Sequence, residues 1–246
     1  MIDQTEKYYG TEAKIGLIYI ASSWIMEPEF YMMSSPGIIT CTTRITLGNS
    51  VTEGSLRSLG DKACDAAALL AEAPMDVIAL GCTSGSFIGG NSYDLELIKK
   101  MEDASSVRCI TTGRSVINAL KKLDMKKISM LTPYTDDINR KAMAYLGENG
   151  IETVYCRGLG LVRDYDIDMV PLEKVKREVL SLEGLSEGDG IFISCTGLKT
   201  VPLIEELEQK TGLPVITAVQ ATFWNSLEIA GIKKKPENYG SLLRSF

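Results

Sequence analysis

Cys82 and Cys195 stand in matching contexts, Leu80-Gly81-Cys82-Thr83-Ser84-Gly85-Ser86 and Ile193-Ser194-Cys195-Thr196-Gly197. In each, a short apolar run ends at the cysteine, and a turn of small, hydroxyl-bearing residues and glycine follows. Such a turn presents backbone N–H groups that bind a carboxylate and lower the pKa of a neighbouring thiol. Two thiols facing one small ligand from opposite sides suit racemisation or isomerisation. One thiolate removes a proton or adds to a double bond, and the other thiol donates a proton on the far face. That chemistry requires no metal and no organic cofactor. Two other readings stay open: a decarboxylase that uses Cys195 as the proton donor to an enediolate, and a carboxylate-binding protein without turnover.

Other chemistries fall away on composition. The 246 residues include no histidine, the usual general base near neutral pH and the commonest metal ligand. Ser-His-Asp, Cys-His and His-metal sites are therefore excluded. Cys41, Cys64, Cys109 and Cys156 have no symmetric partner and no flanking glycine-hydroxyl turn, and no C-x-x-C occurs, so a thiolate zinc or iron-sulfur centre is not expected. These four read as reduced packing residues of a cytoplasmic protein. Gly85, Gly89 and Gly90 lack the Gly-Lys-Ser/Thr of a phosphate loop. A formal net charge of −6 provides no basic field for nucleic acid or anionic lipid. The short Lys233-Lys234-Lys235 run reads as a solvated surface cluster. The polar N-terminus is neither a signal peptide nor an anchor, and no apolar run approaches the ~20 residues of a membrane span. The expected partner is a small carboxylate substrate, and a homo-oligomer is allowed.

The cysteines need elements to hold them. With 45% hydrophobic and 24% charged residues, the composition is that of a folded globular chain. Short runs rich in Ile, Val and Leu at 15–20, 77–80, 107–111, 128–131, 153–156, 191–194 and 215–218 predict strands. Amphipathic segments near 53–73, 92–103, 114–123, 136–148, 171–182, 200–211 and 219–230 predict helices between them. This alternation is that of an α/β fold with parallel sheets. Lys14-Ile15-Gly16-Leu17 aligns with Lys127-Ile128-Ser129-Met130, and Ile78-Ala79-Leu80-Gly81-Cys82 with Ile191-Phe192-Ile193-Ser194-Cys195, both at an offset of 113 residues. A third pair, from Cys109 and from Val215, aligns at an offset near 106. The chain is expected to form two similar parallel-sheet α/β halves related by a pseudo-twofold axis. The first comprises 1–120 plus 215–246, the second 121–214. Ligands of such sheets bind beyond the carboxyl ends of the strands, where both cysteines fall.

The GCTSGS stretch at 81–86, TPYTDDIN at 132–139 and SCTGLKT at 194–200 resemble the aspartate/glutamate racemase superfamily. Within it they are most similar to the maleate cis-trans isomerase, arylmalonate decarboxylase and ectoine-utilisation EutA-like branch. The resemblance runs from Lys14 to about Gly231 and implies that Cys82 and Cys195 are the catalytic pair. It also implies that Thr83, Ser84, Tyr134, Thr196 and Gly197 hold the substrate carboxylate. Decarboxylases of this group keep only the second cysteine, so Cys82 favours isomerase or racemase chemistry. Maleate isomerases of the group carry Ser-Ser-Asn after the first strand, whereas Ser22-Ser23-Trp24 stands here. Trp24 is therefore expected to turn a flat apolar surface to the ligand and to favour an apolar or amide-bearing substituent over maleate. The shape of the pocket is expected to depend on Trp24 and on the loop at 158–170.

Overall fold

The central strands of each sheet are mostly apolar and almost wholly buried, as strands covered by helices must be. They are β1 (Ala13–Ile20), β3 (Val77–Gly81), β5 (Lys127–Thr132) and β7 (Gly190–Ile193). Every residue of β3 and β7 is buried. A computed structural model describes residues 4–47, 53–232, 236 and 238–245. The Lys233-Lys234-Lys235 run lies outside the described residues. Flanking the central strands are β2 (Ile38–Ile45), β4 (Cys109–Thr111), β6 (Glu152–Gly158) and β8 (Val215–Thr217). They complete two four-stranded parallel sheets, ordered β2-β1-β3-β4 and β6-β5-β7-β8. The two orders are the same, so the repeat seen in the sequence is a repeat of topology.

Helices cover the sheets: α1 (Met26–Met33), α2 (Glu53–Leu70), α3 (Thr83–Phe87), α4 (Gly90–Ser105), α5 (Thr112–Lys122), α6 (Asp136–Glu148), α7 (Asp164–Asp168), α8 (Leu172–Leu180), α9 (Ile204–Thr211), α10 (Ala218–Ile229) and α11 (Gly240–Arg244). Among the described residues, no helix is long and apolar enough to cross a membrane. The seven expected helical segments correspond to α2, α4, α5, α6, α8, α9 and α10. The short α1, α3, α7 and α11 were not expected, nor was β2. That strand is an edge of Thr, Cys and Arg with only its two end isoleucines buried, so no apolar run marks it.

The expected boundary at 215 is redrawn by strand pairing. Val215, Ile216 and Thr217 pair with Ile191, Phe192 and Ile193, which places β8 in the second sheet as the counterpart of β4 in the first. The chain then crosses over, for α10 packs on α5 and β3 of the first half. α10 is buried on every side over Ala218–Leu227, as a helix lying between two layers must be. Thr111 and Thr217 cap α5 and α10 in the same way, each side chain accepting from the N–H three residues on at 3.1 Å. Between the two helices, Thr222 donates to Thr112 at 3.1 Å and Asn225 to Ser115 at 3.2 Å.

Two buried carboxylates tie the halves together. Asp94 of α4 accepts from Thr111 at 2.6 Å and from Tyr145 of α6 at 2.8 Å, with Arg114 Nε 3.6 Å away. Glu29 of α1 accepts from the backbone N–H of Thr200 at 2.5 Å and of Val201 at 3.0 Å, and from the Thr200 hydroxyl at 3.2 Å. Burial pushes Glu29 up to about 7, against the pull of those donors. The folded state therefore keeps a proton that the unfolded chain gives up near the ordinary glutamate value, and stability falls as pH rises from about 4.5 to 7. Glu29→Gln removes this titration. Wild type is expected to lose about 1–3 kcal/mol relative to Glu29→Gln between pH 5 and pH 8, as measured by urea unfolding at each pH. A constant difference across that range would show that Glu29 does not titrate there.

Candidate active site

β3 and β7 end side by side in function: each delivers its cysteine beyond the carboxyl edge of its sheet. Cys82 follows β3 and caps α3, with extended backbone (φ −145°) and its sulfur accepting from the Gly85 N–H at 3.4 Å. Cys195 follows β7 with φ at +89°, a region that costs a non-glycine residue about 1–3 kcal/mol and that surrounding structure must enforce. Its sulfur accepts from the Gly197 N–H at 3.4 Å. The sequence contexts match, yet the backbones differ, so the two thiols are not equivalent.

Both sulfurs line one cleft, which holds about 390 Å³ of empty space including its open mouth. Thr83, Ser84, Tyr134, Thr196 and Gly197 line it as well. Tyr134 is held by its own strand end, since its N–H donates to the Thr132 hydroxyl at 3.1 Å. Its hydroxyl interacts with the Cys195 thiol. Thr83 Oγ1 is buried without a hydrogen-bond partner among the described residues, and the residue is 2% exposed. Thr196 has a different task, because its hydroxyl donates to the Gly81 carbonyl across the halves at 3.4 Å. Gly197 cannot carry a side chain: a Cβ there would meet Asp168 Oδ1 at 2.5 Å. The backbone N–H groups of Gly85 and Gly197 point at the sulfurs.

Trp24 is placed differently from its expected role. It is not among the cleft's lining residues; the residue is 40% exposed and its ring packs on Tyr165 with centroids 5.9 Å apart. What the turn after β1 contributes is Ser23. The Ser23 hydroxyl donates to Asp168 at 2.8 Å, and the Trp24 N–H donates to the same carboxylate at 2.9 Å. Tyr19 pins this corner, sharing a 2.5 Å hydrogen bond with Ser23 and donating to the Thr196 carbonyl at 3.2 Å. The remaining lining residues are Ile20, Leu47, Asp164, Ile167 and Asp168. The 158–170 stretch was thus marked by sequence as shaping the pocket, but its acidic pair was not. The position of Ile20 at a strand end was a usable signal for that residue.

Burial dominates the electrostatics. It pushes Cys82 up, against the Gly85 N–H and the Ser84 hydroxyl, and it pushes Cys195 up to about 12, against the Gly197 N–H and Tyr134. Asp164 adds to both shifts. Burial also raises Tyr134 far above the ordinary phenol value. Burial thus favours the protonated, donating form of both thiols and of the phenol. Among the described residues, no three His, Cys, Asp or Glu side chains gather as a metal site would need.

Comparison with known proteins places this geometry. Residues 26–243 match the arylmalonate decarboxylase family. The arylmalonate decarboxylase of Bordetella bronchiseptica is 32% identical over 196 residues, covering 78% of this chain and 81% of that protein. The maleate isomerase of Nocardia farcinica is 25% identical over 241 residues, covering 94% and 95%. A solved structure of a cysteine-to-serine variant of the Nocardia farcinica maleate cis-trans isomerase, with a covalently bound succinylcysteine intermediate, superposes with a TM-score of 0.87 at 22% identity over 95% of this chain and 99% of that one. On the family match, the repeated topology and the paired cysteines, this chain belongs to the arylmalonate decarboxylase family, within the racemase-like superfamily that its sequence resembles.

Proposed function

We propose that this chain is a cofactor-independent isomerase of a small carboxylate, with Cys82 and Cys195 as its catalytic pair. The observation that carries this reading is the presence of both thiols, from equivalent strand ends of the two halves, in the lining of one cleft. For a cis-alkenoic acid the steps balance as follows. The Cys82 thiol first gives its proton to solvent, against the burial that pushes its pKa up; the thiolate then forms a C–S bond to one alkene carbon, and the π pair moves onto the other carbon and its carboxylate. Cys195 donates its proton to that carbon, and the substrate rotates about what is now a single bond. Cys195 takes the proton back, the C–S bond breaks and the trans acid leaves. Burial keeps Cys195 protonated at rest, as its first role requires. The covalent succinylcysteine named for the Nocardia farcinica enzyme supports an addition of this kind. For a saturated acid the same pair would exchange the α-proton between faces.

A second reading is favoured by the decarboxylase relative at 32% identity: loss of carbon dioxide from a malonate-type acid, with Cys195 protonating the enediolate. Proton NMR of candidate acids in deuterium oxide separates the two. Cis-trans conversion or deuterium entry at the α-carbon without loss of carbon dioxide supports the isomerase, whereas carbon dioxide release supports the decarboxylase. No change with any acid overturns both.

Tyr134 is assigned to the carboxylate, because its phenol is neutral, buried and beside Cys195. Tyr134→Phe is expected to lower kcat/KM by about 1–3 kcal/mol, the cost of leaving a charged acceptor one donor short, with little change in melting temperature. Unchanged kinetics would remove Tyr134 from the site.

A further inference from the structure

The cleft is lined by two kinds of group. Donors are the two thiols, the Tyr134 phenol, the Ser84 hydroxyl and the Thr83 hydroxyl, which has no partner among the described residues. A carboxylate satisfies these donors, and the buried Thr83 Oγ1 marks a donor left for a ligand atom to accept. The same lining also carries acceptors, Asp164 and Asp168 of α7. Asp168 is occupied, for both its oxygens accept from Ser23 and one also from the Trp24 N–H. Asp164 is half-buried and accepts from the Ser22 hydroxyl through one oxygen. Its other oxygen carries no hydrogen bond among the described residues. Nothing on the cleft offsets this charge: no lysine or arginine is among its described lining residues. Lys199 turns its ammonium to the carbonyls of Asp168 and Val170.

A ligand with carboxylates at both ends would therefore bring its second charge toward Asp164 in a largely buried site, where like charges repel strongly. A ligand with an N–H group at that end would meet an acceptor in place. Resting on the proposed function above, we propose that Asp164 is a specificity-determining residue that selects a short monocarboxylic acid bearing an amide or ammonium group in place of a second carboxylate. This assigns to Asp164 the discrimination that the sequence alone gave to Trp24, and by a different means.

The test reads binding, so that it does not depend on which reaction the enzyme performs. Protection of Cys82 and Cys195 from iodoacetamide is followed by peptide mass spectrometry with succinate, succinamate or 4-aminobutanoate. Succinamate or 4-aminobutanoate, whichever binds better, is expected to protect at a concentration at least about tenfold below that of succinate. The better of the two tells an amide from an ammonium. Asp164→Asn, with an unchanged near-ultraviolet circular dichroism spectrum, is expected to narrow that ratio to within about threefold, chiefly by improving succinate. Equal or better protection by succinate, the same ratio in Asp164→Asn, or no protection by any of the three overturns the proposal. The isomerase reading fails separately, by absence of conversion or exchange in the NMR assay. Cis-butenedioate and its mono-amide, compared there, give the kinetic form of the same ratio.

Discussion

Cys82→Ser and Cys195→Ser are each expected to lower turnover at least about a hundredfold, the usual loss when a positioned acid, base or nucleophile is removed. Serine retains the size and the capacity to hydrogen-bond with the Gly85 or Gly197 N–H, so both variants should fold. Their roles separate them. Cys82 is required for addition to an alkene or for the second face of a racemisation, whereas decarboxylation needs Cys195 alone. Loss in both variants, with native melting temperatures, fits the paired mechanism. Retained turnover in Cys82→Ser with loss in Cys195→Ser would move the enzyme to the decarboxylase reading. Full activity in both would remove cysteine chemistry from this cleft. The strained backbone at Cys195 adds a second readout, because a serine there inherits the same conformation and should leave stability nearly unchanged.

The largest effect on stability is expected at Asp94. Its fully buried carboxylate bonds to Thr111 and Tyr145 and faces Arg114, joining α4 and β4 of one half to α6 of the other. Burial raises its pKa against those three partners. Asp94→Ala leaves two buried hydroxyls without their acceptor and takes the ion-pair partner from Arg114, whose guanidinium keeps Asn91 and Asn149 and whose Nε has no hydrogen bond among the described residues. Breaking such an arrangement costs about 3–5 kcal/mol, a large part of the stability of an ordinary domain. Urea unfolding at pH 7 should show that loss. Asp94→Asn, which keeps an acceptor and discards only the charge, should lose less. A loss under about 1 kcal/mol for Asp94→Ala would mean that the halves are held by apolar packing alone.

Much of this arrangement was legible in the chain itself. Short runs rich in Ile, Val and Leu mark the central strands because those strands are buried on both faces, and a shared offset of 113 residues marks the two halves. That offset also marks the strand that periodicity missed: β6 shifted back by 113 falls on β2, and Arg157 falls on Arg44. An edge strand of threonines gives no hydrophobic signal of its own, so only the repeat could have found it. The cysteines and their small, hydroxyl-bearing turns were readable too, because strand end, thiol and turn are contiguous and their chemistry is local. The acidic part of the lining was not readable. Asp164 and Asp168 lie some eighty residues beyond Cys82 in the chain, on a five-residue helix too short for any periodicity to declare which side faces inward. Trp24 and Ser23 are neighbours in one irregular turn. Which of them enters the cleft was decided by Asp168 and Tyr19, which hold Ser23 inward and leave the indole to Tyr165. Sequence determined the fold, its repeat and the reactive thiols, because those depend on local pattern. Tertiary structure decided what shares the cleft with the thiols, because only packing brings distant polar groups into one lining and fixes their orientation.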